Sequence, residues 1–241
     1  CRLIFGDQGR IFSDQIKEVI NPKDFYHSPK SKLICIENTS NRGGGAFYDF
    51  KEIIKIKELA IENNLKLHLD GARLWNALEE TIEAPKDYGN VFDTISVCFS
   101  KGLGCPVGSA LIGSKKDMEK ALRIRKVFGG GMRQSGYLAA AALFALDNNR
   151  SDLKKDHLNA KEIAEVLTKL SFVKSIEPVS TNIIIFSLIS NKLEDIFINL
   201  LKEKNIHIIS LGKGKLRIVT HRDYTEEHHQ YFINFLEKIN L

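Results

Sequence analysis

Apolar residues recur at two different spacings along this chain of 241 residues. Across residues 50–64, Ile53, Ile54, Ile56, Leu59, Ala60 and Ile61 return every three or four positions, which predicts one buried helix face. Residues 65–69 then alternate apolar and polar, the period of a strand. Short apolar runs at 32–37, 94–100 and 109–113, bounded by turn-forming residues, predict further strands. Ser13 and the residues after it cap a short helix that runs to Ile20, and residues 1–5 read as a strand entered midway. Strand, helix and strand repeated in this order predict an α/β fold with a doubly wound sheet. A charged helix follows at 115–127. Gly129, Gly130 and Gly131 break it, and an alanine-rich helix at 132–146 is expected to be largely buried.

Asp147-Asn-Asn-Arg-Ser-Asp152 reads as a boundary loop. Beyond it the pattern gives a helix at 159–170, a strand at 182–188, a helix at 193–204, strands near Ile208 and at 216–219, and a last helix at 225–239. The expected organisation is a large domain over 1–150 and a small α+β domain over 151–241. With 43% hydrophobic and 27% charged residues the composition is that of a globular protein. No apolar window is long enough to span a membrane. The net charge of +5 comes from lysines scattered along the chain, which argues against nucleic acid as a partner. Cys1, Cys35, Cys98 and Cys105 lack metal-ligand spacing, and two of them fall in expected core strands, which suits reduced thiols in a cytoplasm. The chain starts without methionine or a signal-peptide pattern, and so is expected to be the downstream part of a longer protein.

Two strand ends carry the chemistry. Asp70 closes one apolar strand and Lys101 follows another, with serine and glycine beside it. Ligands of open α/β sheets sit beyond the carboxyl ends of the strands. A lysine there can form a Schiff base with an aldehyde cofactor, while a carboxylate keeps a pyridine nitrogen protonated as an electron sink. That pair of functions suits pyridoxal phosphate, against the ordinary readings of a turn aspartate and a solvated lysine. Arg217 lies inside an apolar strand, where burial without an anion is costly, so Arg217 and Arg73 are candidates to grip a substrate carboxylate, with a structural salt bridge as the alternative for Arg217. His27, in a proline-flanked loop, is a candidate base for a substrate hydroxyl or else a surface residue. His68 shares a strand face with Asp70 and is expected to be a satisfied core or supporting histidine. The glycines of 102–108 lack the spacing of a dinucleotide loop, those of 129–131 suit a hinge as well as a phosphate, and His221, His228 and His229 do not make a metal set.

Four ordered motifs, Glu37-Asn-Thr-Ser-Asn-Arg-Gly-Gly-Gly45, His68-Leu-Asp-Gly-Ala-Arg-Leu-Trp-Asn-Ala77, Ser100-Lys-Gly-Leu-Gly-Cys-Pro-Val-Gly-Ser109 and Gly129-Gly-Gly-Met-Arg-Gln134, together resemble low-specificity L-threonine aldolases. These are pyridoxal-phosphate enzymes of the aspartate aminotransferase fold. The resemblance extends through Thr181-Asn182 and residues 217–221. It implies cleavage of threonine or allo-threonine to glycine and acetaldehyde, with Lys101 holding the cofactor, Asp70 on its ring nitrogen, Arg73 beside cofactor and carboxylate, Arg217 on that carboxylate, and His27 near the substrate hydroxyl. Arg133 matches a position near a neighbouring subunit's site, and a homo-oligomer, dimer or tetramer, is implied. Another β-eliminating lyase, a serine-type aldolase or a non-catalytic remnant remain alternatives. Two departures stand out. Ser40 occupies the place of a family histidine, and roughly the first hundred residues of the family pattern are absent, including its phosphate loop and ring-stacking side chain. On that basis the chain alone is expected to have negligible aldolase activity.

Overall fold

The computed structural model describes residues 1–241 and contains two four-stranded sheets. In the first, β1 (Leu33–Glu37), β2 (Lys66–Gly71) and β3 (Thr94–Cys98) run parallel, and β4 (Ser109–Gly113) closes the edge antiparallel to β3. Period-two alternation gives this sheet two unlike faces. Ile34, Ile36, Leu67, Leu69, Ile95 and Val97 point into the main core. There they meet α1 (Ser13–Val19), α2 (Phe50–Glu62), α3 (Leu74–Glu80) and α4 (Pro85–Val91). The intervening positions, Cys35, Glu37, His68, Asp70, Thr94, Ser96 and Cys98, are all polar or thiol-bearing and line the opposite face. Helix α2 starts where Asp49 accepts the Lys51 amide at 2.9 Å, satisfying one of the free N–H groups of its first turn.

The chain then forms α5 (Lys115–Val127) and α6 (Gly136–Asn148) before the second sheet. That sheet has the order β5 (Val173–Ile176), β6 (Ile183–Leu188), β8 (Lys215–Val219), β7 (Ile209–Gly212), all antiparallel. Its core joins Phe172, Phe186, Phe197, Leu201 and Leu216 to α7 (Leu153–Leu167), α8 (Leu193–Glu203) and α9 (Glu226–Lys238). Polar contacts stitch the two sheets together. Thr181 donates to the Gly45 carbonyl at 2.8 Å, Asn149 to the Leu103 carbonyl at 2.8 Å, and buried His157 on α7 meets Asn76 at 3.0 Å and Glu80 at 2.5 Å.

Four expectations need correction. Residues 1–5 form no strand, because no neighbouring strand pairs with them. Helix α6 begins at Gly136 and buries only Ala145, leaving Leu143 at 63% and Phe144 at 62% exposure. It is apolar all round, and the neighbouring elements cover only the side facing Leu103, Cys105 and Leu153. Cys35 is exposed and Cys98 half-buried, since both fall on the polar phase of their strands. Strand β5 was not foreseen, because Val173-Lys-Ser-Ile176 is too short and mixed to show a period.

Candidate functional site

The parallel strands end together, and their ends assemble the site. Register pairs Glu37 with Asp70 and Asp70 with Ser96, so the two carboxylates are cross-strand neighbours on the polar face. Asp70 is exposed and accepts one hydrogen bond, from the Ala72 amide to Oδ1 at 3.1 Å. Lys101 follows β3 by three residues and is exposed, its Nζ donating to Cys98 Sγ at 3.5 Å. The loop that carries it is rigid from below. The Gly104 amide bonds back to the Lys101 carbonyl at 2.8 Å, and a side chain at Gly102 would meet Leu153 Cδ2 at 2.5 Å. The backbone is thereby fixed while the amine stays free.

Charge clusters around this amine. Burial raises the Glu37 carboxyl above its ordinary value and Asp70 adds to the shift, while the Asn41 amide, Arg73 and Lys101 oppose it. Burial, then the neighbouring positive charge of Arg217, lowers the Arg73 guanidinium, against Glu37, Cys98 and Asp70. Arg217 sits on β8 between buried Leu216 and Ile218, so alternation turns it out of the small core toward the first sheet. There it donates to Asn41 Oδ1 at 2.9 Å, and its Nε is buried without a partner. Neither arginine is in an ion pair. Two adjacent guanidinium groups without a carboxylate partner are chemically suited to an anion.

Two hollows meet at these residues. A recess of about 250 Å³ is lined by Lys101, Arg73, Asn182, His221 and Arg222. A cleft of about 660 Å³ runs from Arg73 and Arg217 past Ile208, His221 and Tyr224 to Tyr231. Arg73 and His221 stand in both walls. The structure therefore brings Asp70, Arg73, Lys101 and Arg217 to one edge. It does not bring His27 there. His27 precedes β1, in a loop tied by Asn21 to the Pro29 carbonyl and Ser31, and lines neither hollow. Its exposed ring packs at a tilt against Tyr26, with centroids 3.8 Å apart. His68 bonds Thr94 Oγ1 at 2.8 Å on the polar face, in a supporting position.

Sequence reasoning missed Glu37, Asn182 and His221. Glu37 had a usable signal, as the last residue of a strand adjacent to the one that carries Asp70. His221 was set aside with His228 and His229, but these part company in the fold. His229 is buried against Glu162 at 2.6 Å and Tyr224 at 3.2 Å, while His221 reaches the recess.

The fold is mixed α/β with a parallel-rich sheet, and it sets a lysine and a carboxylate at neighbouring strand ends beside two arginines. The chain belongs to the beta-eliminating lyase family, whose model matches residues 2–190. It is 38% identical over 224 residues to a probable low-specificity L-threonine aldolase of Arabidopsis thaliana, covering 92% of this chain and 63% of that protein. It is 36% identical over 217 residues to the low specificity L-threonine aldolase of Saccharomyces cerevisiae, covering 84% of this chain and 55% of the relative. The Leishmania major threonine aldolase has the same fold, with a TM-score of 0.81 at 21% identity over 97% of this chain and 68% of that one. The chain thus spans less than two thirds of the length of these curated relatives.

Proposed function

We propose that the protein is a pyridoxal-phosphate-dependent aldolase that cleaves L-threonine or L-allo-threonine into glycine and acetaldehyde. The observation that carries this reading is the pairing of Lys101 with Asp70 at adjacent strand ends, beside two arginines that lack an anion. The residues fit the cofactor and an amino acid. The Lys101 amine has only a thiol as partner, the Asp70 carboxylate has an oxygen to spare, and Arg217 Nε is buried and unsatisfied. Lys101 would hold the aldehyde carbon, and Asp70 the ring nitrogen. When bound, the cofactor supplies an electron sink for the bond broken at the substrate's α-carbon.

The chain's own groups do the rest. Arg217, with Arg73 beside it, grips the carboxylate and so fixes how the amino acid sits over the sheet edge. Attack on the aldehyde carbon requires the neutral amine of Lys101. Asp70, oriented by the Ala72 amide at 3.1 Å, would face a pyridine nitrogen with its remaining oxygen. Because Lys101 and Asp70 stand open to solvent, the 241-residue chain alone is expected to turn over slowly, since water weakens every charge interaction in the site. Exposed Phe128, Met132, Tyr137 and Phe144 support self-association of the enzyme. No helix is long and apolar enough to cross a membrane, and four unpaired cysteines suit a reducing, cytoplasmic setting.

The test is product analysis of the holoenzyme with L-threonine and L-allo-threonine. Equimolar acetaldehyde and glycine support the proposal. Ammonia and a keto acid instead would identify a β-elimination.

A further inference from the structure

We infer that His221 takes the proton of the substrate's β-hydroxyl during this cleavage, an assignment that rests on the aldolase reading. Carbon–carbon cleavage of a β-hydroxy-amino acid needs an acceptor for that proton. Of the chain's seven histidines, His221 alone lines the recess that holds Lys101. His27 lines neither hollow, while His68, His157 and His229 are engaged by Thr94, by Asn76 with Glu80, and by Glu162 with Tyr224. His207 and His228 line only the larger cleft. Ser40 is buried in its own turn, its Oγ accepting the Gly43 amide at 3.2 Å.

The surroundings of His221 suit the role. Its Nδ1 has the Asp223 amide at 3.3 Å and the Asp223 carboxylate at 3.9 Å. Because that amide donates to Nδ1, proton uptake at Nε2 requires the Nδ1–H tautomer, in which the Asp223 carboxylate replaces the amide as the partner of Nδ1. The carboxylate also stabilises the imidazolium formed after proton uptake. Arg222, bridged to Asp152 at 2.5 Å, and Arg73 and Lys101 are the cations in the same walls. A second observation marks the recess as built for a polar ligand. Asn182 is 3% exposed, its amide donates to the Thr220 carbonyl at 2.8 Å, and its Oδ1 has no donor. An amide oxygen orients a hydroxyl or amine but does not accept a proton in water; the imidazole does.

The step balances without a co-reactant. The O–H proton goes to Nε2 and the O–H electron pair becomes the second carbonyl bond of the aldehyde. The Cα–Cβ bond breaks with its pair left on Cα, Cα takes up a proton as glycine forms, and Nε2 returns its own to water.

The test compares the parent holoenzyme with H221Q and H221F, following threonine cleavage against pH together with the visible absorbance of bound cofactor. The expected result is a loss of kcat of about 10²–10⁴-fold with a KM near the parent's. The acid limb that a neutral imidazole imposes between about pH 5 and 8 should vanish, and the absorbance should be unchanged. If both variants keep the parent's kcat and acid limb, or lose only KM, the proposal is overturned. A variant that loses its absorbance shows instead a structural role for His221, which also overturns it. A parent that binds cofactor but gives no acetaldehyde would refute the aldolase reading itself, and this assignment with it.

Discussion

Asp156 on α7 is 5% exposed, and burial, aided by the charge of Asp152, pushes its carboxyl from 3.8 up to about 7 against the pull of Arg222 and Lys155. Between those two values the folded chain keeps a proton that the unfolded chain gives up, so this group makes the fold less stable as pH rises. Three pH decades at 1.36 kcal/mol each put the full penalty at about 4 kcal/mol above pH 7, and solvent reaching the seam lowers it toward about 2 kcal/mol. Asp156→Asn keeps the shape and cannot ionise. Urea unfolding followed by circular dichroism, at about pH 4, 6 and 8, reads the difference directly. The variant should match the parent near pH 4, gain through the middle, and exceed it by about 2–4 kcal/mol at pH 8. A difference that stays constant with pH, or a parent more stable at pH 8, would refute the reasoning.

Arg217→Lys should weaken amino-acid binding by about 1.5–3 kcal/mol in a substrate titration of the holoenzyme, because a point charge cannot reproduce the fork. Gly102→Ala places a methyl 2.5 Å from Leu153 Cδ2, and the forced shift should cost about 1–3 kcal/mol in thermal unfolding and lower cofactor occupancy by displacing Lys101.

The residues legible in the sequence were those whose chemistry clashed with their local pattern. Lys101 and Asp70 interrupt apolar strands at their carboxyl ends, and Arg217 sits charged inside one. Each such clash is visible within a few positions of the residue. Glu37 needed the register that sets it opposite Asp70, a relation between strands that lie 33 positions apart at this pair. His221 needed more: β8 must pair beside β6 and its exit must turn back toward the loop of Lys101, which no local pattern contains. His27 lines neither hollow, and a motif beside a strand does not reveal which end of the sheet it occupies. Helix α6 fails for a related reason. All-round apolarity predicts that a surface requires cover, but not which element supplies it.

The central claim is that Lys101 holds the cofactor, and one measurement tests it most directly. The holoenzyme is reduced with borohydride and digested, and the labelled peptide is mapped by mass spectrometry. The account predicts pyridoxyl label on Lys101, visible absorbance lost on reduction, and no label in Lys101→Ala with its fold intact. Stoichiometric label on Lys115, Lys116 or another lysine, or undiminished labelling of Lys101→Ala, would contradict it.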